Sequence, residues 1–244
     1  MSREGENRLT RPGVAALIVS LAAVPALIAL GVAVWDDRKF YIVSLLIILA
    51  SMIPFALRYE RRRPGAREIV LLAAMIAIGV AARAAFYMVP QFKPMVAIAM
   101  ITGIAFGAES GFIAGAMIAF VSNFIFGQGP WTPWQMEAAG LIGLLAGLIF
   151  HRKDGAMPRL IPLCVFGGLS TLVIYGILAD TSTVFITQSA VTWEALAAAY
   201  AAGLLLNLIH AAATVVFLLL LAKPMLKKLN RLRVKYGLLD ETNT

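Results

Sequence analysis

Charge and metal-binding side chains are scarce in this chain, and each scarcity removes a class of function. Only 14% of the residues are charged, against about 25% in a soluble globular domain, so the chain lacks the polar surface such a domain needs. The single cysteine, Cys164, lies inside an apolar run, which excludes an intramolecular disulfide and a cysteine-based metal cluster. His151 and His210 are the only histidines and do not make a zinc site by themselves, so no metal site is expected. A G-x-x-x-x-G-K-[ST] phosphate loop is also absent, and any use of ATP therefore falls to another polypeptide.

What is present is hydrocarbon. Hydrophobic residues make up 61% of the chain, a composition that belongs to a bilayer. The formal charge of +8 comes from short basic tracts beside apolar runs, where lysine and arginine orient a membrane protein. Nucleic acid is accordingly not expected as a partner. Apolar runs at 13–35, 40–57, 69–89, 94–106, 111–126, 137–150, 160–179 and 196–222 predict an all-α integral membrane protein with eight transmembrane helices. The first run is read as a retained helix and not as a signal peptide, since it is long enough to span and lacks a clear small-residue cleavage site. The stretch from Pro94 to Phe126 is too long for one span, and "GAES" at 107–110 is the expected break.

Basic residues fix the expected orientation. With the N-terminus inside, seventeen of the 21 lysines and arginines fall in the inner segments, and only Arg38, Lys39, Arg83 and Lys93 lie at or near the outer face. This predicts a multi-pass protein of the cell membrane with both termini cytoplasmic. The tract "RYERRRPGAREI" separates a two-helix hairpin from a six-helix remainder, giving units at 1–66, 67–236 and a cytoplasmic tail at 237–244.

Small residues recur at helical spacing where helices are expected to meet. Ala73, Ala77, Ala81 and Ala85 form one stripe; Gly111, Gly115 and Ala119 lead along a second to Asn123; Gly143 and Gly147 form a third, below Glu137 and Gly140; Gly203, Asn207, His210 and Thr214 form a fourth. These stripes are expected to point mostly inward. Polar groups at such depth face protein or a water-filled cavity. Asn207 and His210 suit either an interhelical hydrogen bond or a ligand, Glu137 and Asp180 are placed near the outer boundary, and Trp131 and Trp134 suit either an interfacial aromatic belt or a binding wall.

The stretch "SNFIFGQGPWTPWQME", 122–137, reads as an ornate outer loop with two glycines, two prolines and two tryptophans. The outer ends of several spans also bring Phe86, Tyr87, Asn123, Trp131, Trp134, Gln135, Glu137, Asp180, Ser182 and Thr183 to one side. Aromatic walls with a few placed polar groups are how small molecules are held. The expected site is a weakly charged, aromatic pocket with 122–137 as its lid, built on Asn123, Trp131, Trp134, Gln135, Glu137, Asp180, Asn207 and His210.

Residues 67–236 resemble the substrate-binding S component of an energy-coupling factor (ECF) vitamin transporter. The resemblance is carried by "LLAAMIAIGVAARAAF", by "FKPMVAIAMITGIAFGAESGFIAGAMIAFVSNFIFGQGPWTPWQM", by "YGILADTSTVF" and by "GLLLNLIHAAATVVFLLLLAKPMLKKLNRLRVKYGLL". Within that superfamily the chain most resembles the branch associated with cobalamin-type cargo. The resemblance implies a six-helix bundle with an outward-facing pocket, no cofactor of its own, and three partners: a transmembrane coupling subunit and two cytoplasmic ATPases that use ATP and topple the S component to release cargo inward. It also implies that Ala73 and Ala77 form the Ala-x-x-x-Ala contact with the coupling subunit. The two-helix extension at 1–66 departs from the minimal family pattern. Two alternatives stand beside this reading: a stand-alone transporter using Asp180, Glu137 and His210 as a proton relay, and an intramembrane serine enzyme using Ser110 and His210.

Overall fold

The computed structural model describes residues 65–152 and 154–235, together with Leu46, Met52, Ile53 and Glu60. The hairpin expected at 13–35 and 40–57 lies, apart from those isolated positions, outside the described residues, as does the tail at 237–244. Every regular element among the described residues is helical. Six helices follow one another: α1 (Ala66–Ala85), α2 (Met95–Phe106), α3 (Ala108–Phe126), α4 (Thr132–Phe150), α5 (Leu160–Thr187) and α6 (Trp193–Lys235). All but α2 are long and apolar enough to cross a membrane.

The exception is instructive. Twelve residues rise only about 18 Å, well short of a hydrocarbon core of about 30 Å. Yet every residue of α2 is buried. A helix that is apolar all round belongs inside protein, and α2 is the centre about which the others pack. It ends at Gly107, where φ is 98°, a left-handed conformation that favours glycine. The break expected at 107–110 is therefore real, and α3 starts in the next residue.

The tightest packing is among α2, α3 and α4. A Cβ added at Gly111 would strike the carbonyl oxygen of Gly143, and one added at Gly143 would strike that of Gly111. The two backbones touch reciprocally, as membrane helices do where small residues remove the side-chain barrier. The stripes through Gly111 and Gly143 thus point inward as expected. The alanine stripe of α1 does not: Ala73, Ala77, Ala81 and Ala85 are all exposed, while Leu72, Met75, Gly79 and Arg83 form the buried face. Apolar periodicity cannot distinguish a lipid-facing from a protein-facing stripe when both surroundings are hydrocarbon.

A second correction concerns the stretch 122–137. Its first five residues belong to α3 and its last six to α4, leaving only 127–131 outside the helices. Pro133 lies in the first turn of α4, where a missing N–H costs nothing. It marks a helix start and not a loop.

Helix α5 contains a π-helical segment at Thr171–Tyr175, a distortion frequent at functional sites. Against α6 it makes three polar rungs: Thr171 Oγ1 donates to Thr214 Oγ1 at 3.1 Å, the Tyr175 and His210 rings meet edge to face at 4.6 Å, and Asn207 Nδ2 donates to Asp180 Oδ2 at 2.7 Å. Helix α6 runs on for 43 residues, about 65 Å. It carries Lys227, Arg231 and Lys235 at the end of the bundle where Arg152 and Arg159 also lie, and Asn230 there donates to Gly155 O at 2.6 Å.

The glycine interlock gives a direct test. Gly143→Val inserts a branched side chain against backbone, and overpacking of this kind costs roughly 1–3 kcal/mol. Ala73→Val adds the same kind of bulk on an exposed face. Size-exclusion chromatography in detergent is expected to show loss of the monodisperse peak and a lower thermal midpoint for Gly143→Val alone.

Candidate functional site

At the end of the bundle away from the Arg152 and Arg159 loop lies a cavity of about 630 Å³. Its walls come from the end of α1, the 86–94 loop, the 127–131 turn, the start of α4, and the facing sides of α5 and α6. Of the residues expected to form the site, Trp131, Gln135, Asp180, Asn207 and His210 line it, joined by Tyr87, Ser182 and Thr183.

Three expected residues do not line it. Asn123 is buried behind the wall, accepting from Arg83 Nη1 at 2.8 Å and donating to Thr132 Oγ1 at 2.9 Å and Gln135 Oε1 at 3.0 Å. It ties α1, α3 and α4 together and aims Gln135. Trp134 is 2% exposed and packs on Phe185 at 5.5 Å. Glu137 is equally buried, not near solvent at an outer boundary. Because α4 begins at Thr132, both Trp134 and Glu137 are turned by the helix into the bundle, and the tryptophan pair separates into one wall residue and one core residue.

The cavity is also not weakly charged. Arg83 and Lys93 line it, and neither stood among the expected site residues. Arg83 donates through Nη1 to Ser122 Oγ and Asn123 Oδ1, and the guanidinium lies 4.4 Å from the centre of the Phe126 ring. Lys93 donates to the carbonyl oxygens of Phe86, Tyr87 and Val89, which closes the loop that follows α1. Burial, and next the nearby Arg83 guanidinium, push the Lys93 ammonium below its ordinary value. In the same loop Gln91 has φ of 53°, an uncommon conformation for a residue other than glycine, and it too faces the cavity. The sequence did carry a signal for Arg83: it is the one charge within the apolar run 69–89, and an intramembrane cation is by default a functional candidate. Tyr175, which also lines the cavity, had a weaker one, as the tyrosine of "TLVIYGILADT".

Asp180 is the only acid on the wall among the described residues. Besides its bond from Asn207, it is packed against Gly203, where an added Cβ would collide with the carboxylate. Glycine at 203 therefore leaves room for the carboxylate beside α6. His210 lies deeper, 2% exposed, and its Nε2 has no hydrogen-bond partner among the described residues. The pair considered for serine chemistry is not assembled: Ser110 Oγ donates to Phe106 O beside the Gly107 break, whereas His210 faces the cavity. No group of metal-ligating side chains occurs among the described residues.

An all-helical membrane bundle with a polar and aromatic cavity between its helix ends defines a membrane-embedded small-molecule binder. Residues 65–228, two thirds of the chain, match the family described as ECF-type riboflavin transporter, S component. The chain belongs to that family: it is an ECF S component, a transporter subunit of a multi-pass membrane protein class and not an enzyme. No curated protein and no solved structure matches the chain.

The two tryptophans give the next test. Trp134→Ala removes a fully buried aromatic and is expected to cost about 3–5 kcal/mol, seen as a lower thermal midpoint of the purified protein. Trp131→Ala, on the cavity rim, is expected to leave that midpoint nearly unchanged. Equal losses in the two variants would contradict the separation of wall from core.

Proposed function

We propose that this chain captures a compact vitamin-type molecule outside the cell and delivers it inward as the cargo-binding subunit of an ECF importer. The observation that carries the proposal is the 630 Å³ cavity, open at the end of the bundle opposite the basic loop and the basic end of α6. Under the positive-inside rule the cavity faces outward and both termini are cytoplasmic. Trp131, Gln135, Asp180, Asn207 and His210 serve as cargo contacts, with Tyr87 and Arg83 added to them. Asn123 acts at one remove by holding Arg83 and Gln135, and Trp134 and Glu137 serve the core behind the wall.

The cavity volume falls within the range of about 300–1,000 Å³ typical of small-molecule sites. That favours a single-ring or fused-ring vitamin, of which the riboflavin in the family's description is an example. A complete corrinoid is larger, and the cobalamin-type cargo finds no independent support in the family match. The partners are the ECF transmembrane coupling subunit and two cytoplasmic ATPases, which use ATP on behalf of a chain that needs no cofactor. Residues 67–236 act as the binding core, with 1–66 as an added membrane extension and 237–244 as a cytoplasmic tail.

Ala73 and Ala77 supply the coupling face. Their exposure supports this role, because a small-residue stripe turned out of its own bundle offers close backbone approach to another helix. Ala77→Trp is expected to leave the thermal midpoint unchanged, to abolish co-purification with the coupling subunit, and to stop uptake in cells. A variant that assembles and transports at the normal rate would overturn the coupling role, and one that unfolds would return the stripe to the bundle interior.

A further inference from the structure

Two buried polar atoms of cavity-wall residues have no partner among the described residues: Arg83 Nε and His210 Nε2. Both residues are more than nine-tenths buried, and both line the cavity. Among the described residues Arg83 uses Nη1 for Ser122 and Asn123, makes no other hydrogen bond and no ion pair, and so leaves its Nε and Nη2 donors uncommitted. Those two N–H groups form one edge of a planar fork whose geometry matches a carboxylate or phosphate.

The neighbouring charges do not complete it. Lys93 donates to three backbone carbonyls, so it contributes positive potential but commits its own donors elsewhere. Asp180 is held by Asn207 and packed against Gly203, and forms no ion pair with either cation. Phe126 offers its ring face at 4.4 Å, a partial compensation. A guanidinium buried without an anion is costly, and within a membrane bundle such a group is a functional site by default.

We infer that the cargo carries an ionised acid group, carboxylate or phosphate, which docks on the Arg83 guanidinium at the cavity wall, a local side-chain adjustment bringing its buried Nε edge and His210 Nε2 of α6 into contact with the acid. The inference rests on the importer reading above and narrows its cargo class: the site selects acidic over neutral ring compounds, so riboflavin itself, uncharged, fits this chain less well than an acidic compound of similar size. A neutral analogue of the same ring would leave the Arg83 edge buried and unsatisfied, and a site built for a polar group rejects the analogue that lacks it.

The test uses the full-length protein in nanodiscs and three matched probe pairs, each an acid and its neutral counterpart: riboflavin 5′-phosphate and riboflavin, biotin and biotinamide, pantothenate and panthenol. Thermal shift and calorimetric titration are expected to detect binding of an acid member and much weaker binding of its neutral counterpart. Comparing a carboxylate with a phosphate probe shows which acid the fork takes. Arg83→Gln is expected to weaken the acid by about 10- to 100-fold, with Arg83→Lys falling between. A neutral member that binds as tightly as its acid, an acid that binds Arg83→Gln as tightly as the unaltered protein, or failure of every acid to bind would overturn the inference. The pairwise comparison on the unaltered protein decides it even where Arg83→Gln does not fold. Binding of neutral members alone leaves the importer reading standing, whereas failure to assemble with the coupling subunit strikes that reading and not this one.

Discussion

A guanidinium taken out of water inside a membrane bundle has to be compensated group by group, and the cavity end of this protein is organised around that constraint. Arg83 sits in the last turn of α1, where the negative end of the helix dipole favours a cation. Ser122 and Asn123 accept from it, fixing α1 against α3, and Asn123 passes the connection to Thr132 and Gln135 of α4. One charge thus sets the relative positions of three helices and aims Gln135 into the cavity. Removing Asn123 would leave a donor of Arg83 unsatisfied on one side and the acceptors Thr132 Oγ1 and Gln135 Oε1 on the other, and for buried groups that loss outweighs the modest net worth of each bond.

The bundle separates tight packing from binding. Where α2, α3 and α4 meet, glycines bring backbone against backbone and leave no room for a ligand. Where α5 faces α6, polar rungs replace glycine contacts, and the π-helical segment ends at Tyr175, the residue that meets His210 at the cavity wall. Elsewhere the outer faces are apolar: Ile161, Val165, Leu169, Val173 and Ile177 of α5 and Leu204, Leu205, Leu219 and Leu220 of α6 are exposed. In water such surfaces would drive association, but in hydrocarbon they are the ordinary exterior.

Hydropathy made the helices of the core legible, and Gly107 made the break between α2 and α3 legible, because both depend on local chemistry. Facing was harder to read. The glycine stripes of α3 and α4 and the alanine stripe of α1 have the same small-residue periodicity, yet among the described residues the first two meet protein and the third is exposed. The start of α4 was misread because Pro133 and the nearby glycines resemble loop punctuation, although proline in a first turn is equally a helix signal. That shift of five residues moved Trp134 and Glu137 from the expected wall into the core. Arg83 was visible as a charge but was assigned to the outer face. Its burial depends on Ser122 and Asn123, about forty positions away along the chain, a pairing that no local pattern encodes.

The central claim is that cargo occupies the cavity between α1, α4, α5 and α6. Gly203→Leu would drive a side chain into the space now held by the Asp180 carboxylate and crowd the cavity from α6, while leaving the α2–α3–α4 interlock untouched. Native mass spectrometry of the protein purified from its own membranes is the most direct measurement. The account predicts that the unaltered protein carries one compact small molecule and that folded Gly203→Leu carries none. Retention of the same molecule at the same occupancy by the folded variant would contradict it.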